Sequence, residues 1–148
     1  MEAVIFIGLQ AAGKSTFYVQ RFFRTHVRIN MDMLRTKHRE RLLLDACLAG
    51  KQSFVIDKVN AAAADRATYI HLAKAAGFHV VGYYFQSNRD ACLARNAART
   101  EAERVPDVAI LGASRRLQRP SRAEGFDQLY YVRMTTGDFV VEEWRDEV

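Results

Sequence analysis

The chain has 148 residues, 49% hydrophobic and 26% charged, with a net charge of +5 and a pI near 9.5. That length and balance exclude a disordered chain and fit a single domain over residues 1–148 with a real core. The basic excess points to anionic partners, whether nucleotide, nucleic acid or another phosphate ester.

The first element is an uninterrupted apolar run, Ala3-Val4-Ile5-Phe6-Ile7, the pattern of a strand buried on both faces. It runs directly into Gly8-Leu9-Gln10-Ala11-Ala12-Gly13-Lys14-Ser15, which reads G-x-x-x-x-G-K-S. After it, Thr16 opens a helical pattern in which Phe17, Arg21 and Phe22 share a face. Strand, glycine loop and helix in that order form a phosphate cradle. The glycines let backbone N–H groups point inward, and the helix N-terminus adds partial positive charge. Residues Gly8, Gln10, Ala11, Ala12, Gly13, Lys14, Ser15 and Thr16 are therefore the expected nucleotide-binding set. Within it, Lys14 is expected on the β- and γ-phosphates and the Ser15 hydroxyl on Mg2+.

Residues 27–30 read as a second strand, followed by Met31-Asp32 and one long helix over 32–49 that Gly50 stops. Residues 53–57 read as a third strand ending in Asp57. An alanine-rich helix spans 61–76, a fourth strand 78–86 and a helix 89–99. A polar stretch over 100–106 leads to a helix at 107–118, and residues 128–133 and 139–142 read as one or two further strands. Alternating strands and helices predict an α/β fold, a parallel sheet sandwiched by helices. In such sheets ligands sit beyond the carboxyl ends of the strands. The chemistry is therefore expected at the glycine loop, Asp32, Asp57 with Asn60, and the helix after Gln86.

Asp32 stands where a general base for an attacking hydroxyl would be, although aspartate there also suits a helix N-cap. Arg35, three residues on, would share its helix face and contact an acceptor's phosphate. Asp57 is a candidate for the magnesium shell or for a turn, with Lys58 as a possible ion-pair partner, and Asn60 is a candidate substrate contact. Arg95 and Arg99 lie on one helix face ahead of the polar stretch. They are read either as a lid, about 95–106, closing on the triphosphate or as a solvated helix face. Cys47 and Cys92 fit no metal or disulfide pattern and read as buried thiols. The N-terminus begins without a signal-peptide pattern and no apolar run approaches the ~18 residues of a membrane span, so a cytoplasmic location is expected.

These residues also carry a resemblance. The loop from Gly8 to Thr16, Arg28-Ile29-Asn30-Met31-Asp32, and Phe54-Val55-Ile56-Asp57-Lys58-Val59-Asn60 with Asp65-Arg66 resemble the 5′-kinase domain of polynucleotide kinases. Ala94-Arg95-Asn96-Ala97-Ala98-Arg99 resembles that family's lid helix, and Val105-Pro106 and residues 119–126 its C-terminal segment. The resemblance implies a P-loop kinase fold, ATP with Mg2+, Asp32 as base and Arg35 on the acceptor. It further implies Asp57 near the phosphates and Arg95 or Arg99 on a lid. Two departures stand out: Gln10-Ala11-Ala12 where the family often has Pro-Gly, and Lys58-Val59 where it usually has Asn-Thr.

The expected function is transfer of the ATP γ-phosphate to a hydroxyl, with the 5′-hydroxyl end of DNA or RNA as favoured acceptor. A small sugar, nucleoside or metabolite is the alternative acceptor. A binding module for ATP or RNA without transfer is the alternative of another class.

Overall fold

A computed structural model of the chain describes residues 1–146. Two apolar runs lie side by side at its centre, β1 (Glu2–Ile7) and β4 (His79–Phe85), paired in parallel register with Val4 opposite Val81. On the other flank of β1 come β3 (Phe54–Ile56) and then β2 (Val27–Ile29). On the far flank of β4 come β5 (Gln128–Thr135) and β6 (Asp138–Glu143). The six-stranded order is β2-β3-β1-β4-β5-β6, all parallel except β6, which returns antiparallel as a hairpin. From β1 the chain crosses to the edge at β2, returns inward to β3 and then passes β1 to reach β4, which opens a crevice at the carboxyl end of β1.

The period-2 alternation of the strands supplies two cores. Ile5 and Ile7 face α3 (Lys37–Ala49) and α4 (Ala63–Ala75), where Leu44, Tyr69, Ile70 and Ala73 complete the packing. Val4 and Phe6 face α1 (Lys14–Arg21), α5 (Arg89–Ala97) and α6 (Asp107–Arg116), with Phe17, Cys92 and Ile110. Cys47 and Cys92 are buried free thiols. Among the described residues no helix is long and apolar enough to cross a membrane.

The single helix expected over 32–49 is broken. A four-residue helix, α2 (Met31–Leu34), ends at Arg35, whose N–H donates to Met31 O and whose φ is 75°. Thr36 then starts α3 afresh, its hydroxyl accepting from Arg39 N at 3.1 Å. A positive φ at a β-carbon-bearing residue costs on the order of 1–3 kcal/mol. The break offsets part of that cost by giving α3 an N-cap of its own in Thr36. The helices expected over 89–99 and 107–118 are shorter than their patterns, and both C-terminal strands form.

Candidate active site

The glycine loop joins β1 to α1 and is held from three sides. Gly8 N–H donates to Val59 O at 3.0 Å, and Leu9 N–H donates to Ser87 Oγ at 3.1 Å. Arg95 Nε donates to Ala11 O at 2.6 Å. A β-carbon at position 8 would lie 3.0 Å from Phe85 Cβ. Gly13 has φ 96°, and a β-carbon there would meet Phe139 of the β5–β6 hairpin at 2.9 Å. Gly13 therefore requires glycine, and at position 8 a side chain would crowd Phe85. Because α1 starts at Lys14, the N–H groups of Lys14, Ser15 and Thr16 have no intrahelical acceptor and are available to an anion.

Lys14 is buried, and its Nζ donates to Gly8 O at 2.7 Å and Leu9 O at 2.6 Å. Burial lowers its pKa to about 8, with Asp57 opposing the shift. An ammonium held this way gains from any phosphate that enters.

The Ser15 hydroxyl donates to Asp57 Oδ2 at 3.2 Å. Asp57, 2% exposed, follows β3 on the same crevice. Two hard oxygens this close fit the donor type Mg2+ takes. They also carry a guest that sequence reasoning missed. Arg28, from the middle of β2, donates from Nε to Asp57 Oδ2 at 2.9 Å and from Nη2 to Ser15 Oγ at 2.9 Å. Val27 and Ile29 pack into the core on one face of the sheet, so strand alternation turns Arg28 toward the loop. An arginine inside an apolar strand was the available signal.

Asp32 is exposed and lines a cavity of about 940 Å3 together with Lys14, Ser15, Asp57 and Asn60. It is not the helix cap. That position belongs to Asn30, whose Oδ1 accepts from Met33 N at 3.1 Å and whose Nδ2 donates to Asp57 O at 2.9 Å. Arg35 does not line this cavity. The break in the helix removes it from the face it was expected to share with Asp32.

Lys58 was a possible partner for its neighbour Asp57. Successive residues leaving a strand point to opposite sides. Asp57 turns to Arg28, while Lys58 reaches Glu40 of α3 at 3.2 Å. Asn60 lines the cavity, but its Nδ2 is spent on Phe6 O at 2.8 Å and its Oδ1 is buried without a partner.

The two arginines expected on a lid have partly different surroundings. Arg99 lines the main cavity, and its charge is among those that lower the Lys14 pKa. Arg95, besides its bond to the loop, lines a smaller hollow of about 300 Å3 with Gly13, Thr16 and Met134, and Arg99 borders both. The segment between α5 and α6 is stitched by Asn96, fully buried, which donates to Val105 O at 2.7 Å and accepts from Val105 N at 3.1 Å. Of the later arginines, Arg116 pairs with Asp65 at 3.1 Å and Arg119 lies over the Trp144 ring at 5.0 Å.

Comparison with known proteins agrees with this architecture. A curated bifunctional polynucleotide phosphatase/kinase from Schizosaccharomyces pombe is 26% identical over 135 residues, covering 88% of this chain. The chain spans about a third of that relative's length. A gluconokinase from Sinorhizobium meliloti superposes with a TM-score of 0.62 at 15% identity, covering 89% of this chain and 82% of its own. Kti12 from Chaetomium thermophilum superposes with a TM-score of 0.63 at 16% identity, covering 88% of each chain. The six-stranded, mostly parallel sheet is thus a P-loop kinase fold. Residues 35–120, more than half of the sequence, match the profile of the AAA domain AAA_33, and the chain belongs to that family as a kinase-like P-loop domain.

Proposed function

We propose that the chain is an ATP-dependent phosphotransferase whose acceptor is a hydroxyl. One observation carries the reading: buried Lys14, the Ser15–Asp57 oxygen pair and the exposed Asp32 carboxylate all face one cavity. A loop that only bound nucleotide would not need the last of these. In the transfer, Asp32 accepts the acceptor's hydroxyl proton, and the freed oxygen forms a bond to the γ-phosphorus. The bond from that phosphorus to the β–γ bridging oxygen breaks, and ADP leaves with the electron pair. Lys14 and Arg99 neutralise charge on the transferring group, while Arg95 holds the loop through Ala11 O. Ser15 and Asp57 would hold Mg2+, which when bound supplies charge neutralisation at the β- and γ-oxygens.

The acceptor is read from the far wall. The name of the fission-yeast relative and the charge of +5 favour a polynucleotide 5′-hydroxyl. The wall itself favours a compact hydroxyl compound. Three of its cations are met by carboxylates, Lys58 by Glu40, Arg41 by Asp45 and Arg116 by Asp65, whereas a nucleic-acid track needs a run of unmatched positive charge. The test is to incubate the protein with γ-labelled ATP and Mg2+, with either 5′-hydroxyl oligonucleotides or small polyols. Label is expected to pass to an acceptor. Asp32→Asn should lower kcat by about 10²- to 10⁴-fold with ATP affinity unchanged. Full turnover by that variant would remove Asp32 from the mechanism, and ATP binding with no transfer to any acceptor would leave a binding module.

A further inference from the structure

Beyond the phosphate end, the cavity wall carries a polar cluster that the transfer mechanism does not use. It joins three separate elements: Glu40 from α3, Lys58 from the loop after β3, and Tyr69 from α4. Lys58 Nζ donates to Glu40 Oε2 at 3.2 Å and to Tyr69 OH at 2.7 Å. The Tyr69 hydroxyl in turn donates to Glu40 Oε1. Glu40 and Tyr69 are each only 8% exposed. Burying a carboxylate is unfavourable unless it is paired and hydrogen-bonded, and here it is both. Burial and the bond to Glu40 push the tyrosine's pKa up, so it stays a neutral hydroxyl.

The unspent hydrogen-bonding capacity identifies what fits. An ammonium has three donors and Lys58 has used two, leaving one. A carboxylate offers about four lone-pair positions and a phenol oxygen two. Glu40 has used two of its positions and Tyr69 one. The open surface is therefore one donor beside about three acceptor positions, with formal charge balanced between Glu40 and Lys58. A phosphodiester, which is anionic and only accepts, would find one donor and a facing carboxylate. Hydroxyl groups both donate and accept, so adjacent hydroxyls can use the donor and the acceptors together. Leu72, on the same wall, supplies apolar surface beside them.

We propose that the Glu40–Tyr69–Lys58 cluster is the acceptor-recognition site, and that it selects a small polyhydroxylated compound by holding hydroxyls other than the one phosphorylated. This rests on the phosphotransferase reading. It also accounts for Lys58-Val59 in place of the small polar pair, because a lysine is needed to reach Glu40 and Tyr69.

The experiment uses the intact chain with γ-labelled ATP, Mg2+ and two acceptor panels: free aldoses and aldonates, and 5′-hydroxyl oligodeoxynucleotides. Label is expected on a member of the first panel. With that acceptor, Glu40→Gln should raise the acceptor KM by about tenfold or more, with the ATP KM and kcat within about twofold, because a buried polar site discriminates through unpaired groups. Tyr69→Phe should do the same more weakly. An ATP-induced rise in Tm, retained in each variant, reports that it is folded, and Tyr69→Phe decides the matter if Glu40→Gln fails to fold. A merely structural tie would move Tm and leave the KM split flat, which overturns the proposal. Label on the oligonucleotides alone also overturns it while the phosphotransferase reading stands. If neither panel gains label, that reading fails and the assignment fails with it.

Discussion

At the proposed phosphate end of the cavity the working groups are mostly backbone, and at the proposed acceptor end they are side chains. Residues 8–16 offer N–H groups fixed by a strand, a turn and a helix start that follow one another in sequence. Ser87, Val59 and Arg95 only brace them. The acceptor wall instead needs Glu40, Lys58 and Tyr69, which meet because β3 lies beside β1 and because α3 and α4 cover the same face. A site made of consecutive backbone keeps its shape when side chains change. A site made of converging side chains changes its ligand when one residue is exchanged. One fold can therefore keep its donor and vary its acceptor.

The largest effect should come from breaking the phosphate end at its one indispensable side chain. Lys14→Met is expected to weaken ATP binding by about 100-fold, the loss of a charge-assisted contact with no water-filled substitute in a buried site. Titration calorimetry with ATP and Mg2+ checks this, and near-normal affinity would mean that the backbone cradle suffices alone. The acceptor wall is unaffected by this substitution, so acceptor-induced stabilisation in the absence of ATP should survive.

Arg28 sharpens the comparison because it is a side chain standing at the backbone end. Its two bonds use the Ser15 and Asp57 lone pairs that a magnesium ion would need. Arg28→Ala should therefore lower the Mg2+ concentration that half-saturates the ATP complex by about three- to tenfold. It should also lower the Tm of the free protein, since Asp57 is left buried without its ion-pair partner. The ion pair is partly exposed, its arginine side chain at 28%, which keeps both effects modest. A Mg2+ dependence identical to wild type would show that the guanidinium does not compete with the ion.

The legibility of the chain follows the same division. β1, the loop and α1 were readable because the G-x-x-x-x-G-K-S spacing and the flanking periods are local. The ends of β2 and β3 located Asp32 and Asp57 for the same reason. The break at Arg35 was not read, although Thr36 is a good N-cap residue, because residues 35–41 are all polar and no apolar period marks where one helix stops and the next begins. That one missed turn carried Arg35 off the cavity. Glu40 and Tyr69 were invisible as site residues: each looks like an ordinary helix position until the sheet order brings α3 and α4 together. Lys58 was visible only as a departure from a resembled pattern, and its partner was assigned by sequence adjacency rather than by the direction a side chain takes after a strand.

The smallest effect separates recognition from stability by comparing a buried tyrosine with a half-buried one. Tyr83 packs among Phe6, Phe22 and Tyr130 in the core beneath α1, and burial raises its pKa to about 12. Tyr69 is raised too, but it stands on the cavity wall. Between pH 10 and 11 the unfolded chain releases tyrosine protons that the folded chain keeps. The folded state then binds more protons, and stability falls with rising pH. For Tyr83, allowing for its partial exposure, the loss over that unit should stay under about 1 kcal/mol. Urea unfolding at pH 10 and pH 11 should show this slope shrink in Tyr83→Phe, with acceptor KM unchanged. Tyr69→Phe should shrink the slope as well but raise the acceptor KM. If Tyr83→Phe moved that KM equally, the change at Tyr69 would reflect loosening of the sheet rather than the loss of a hydroxyl that reads the acceptor.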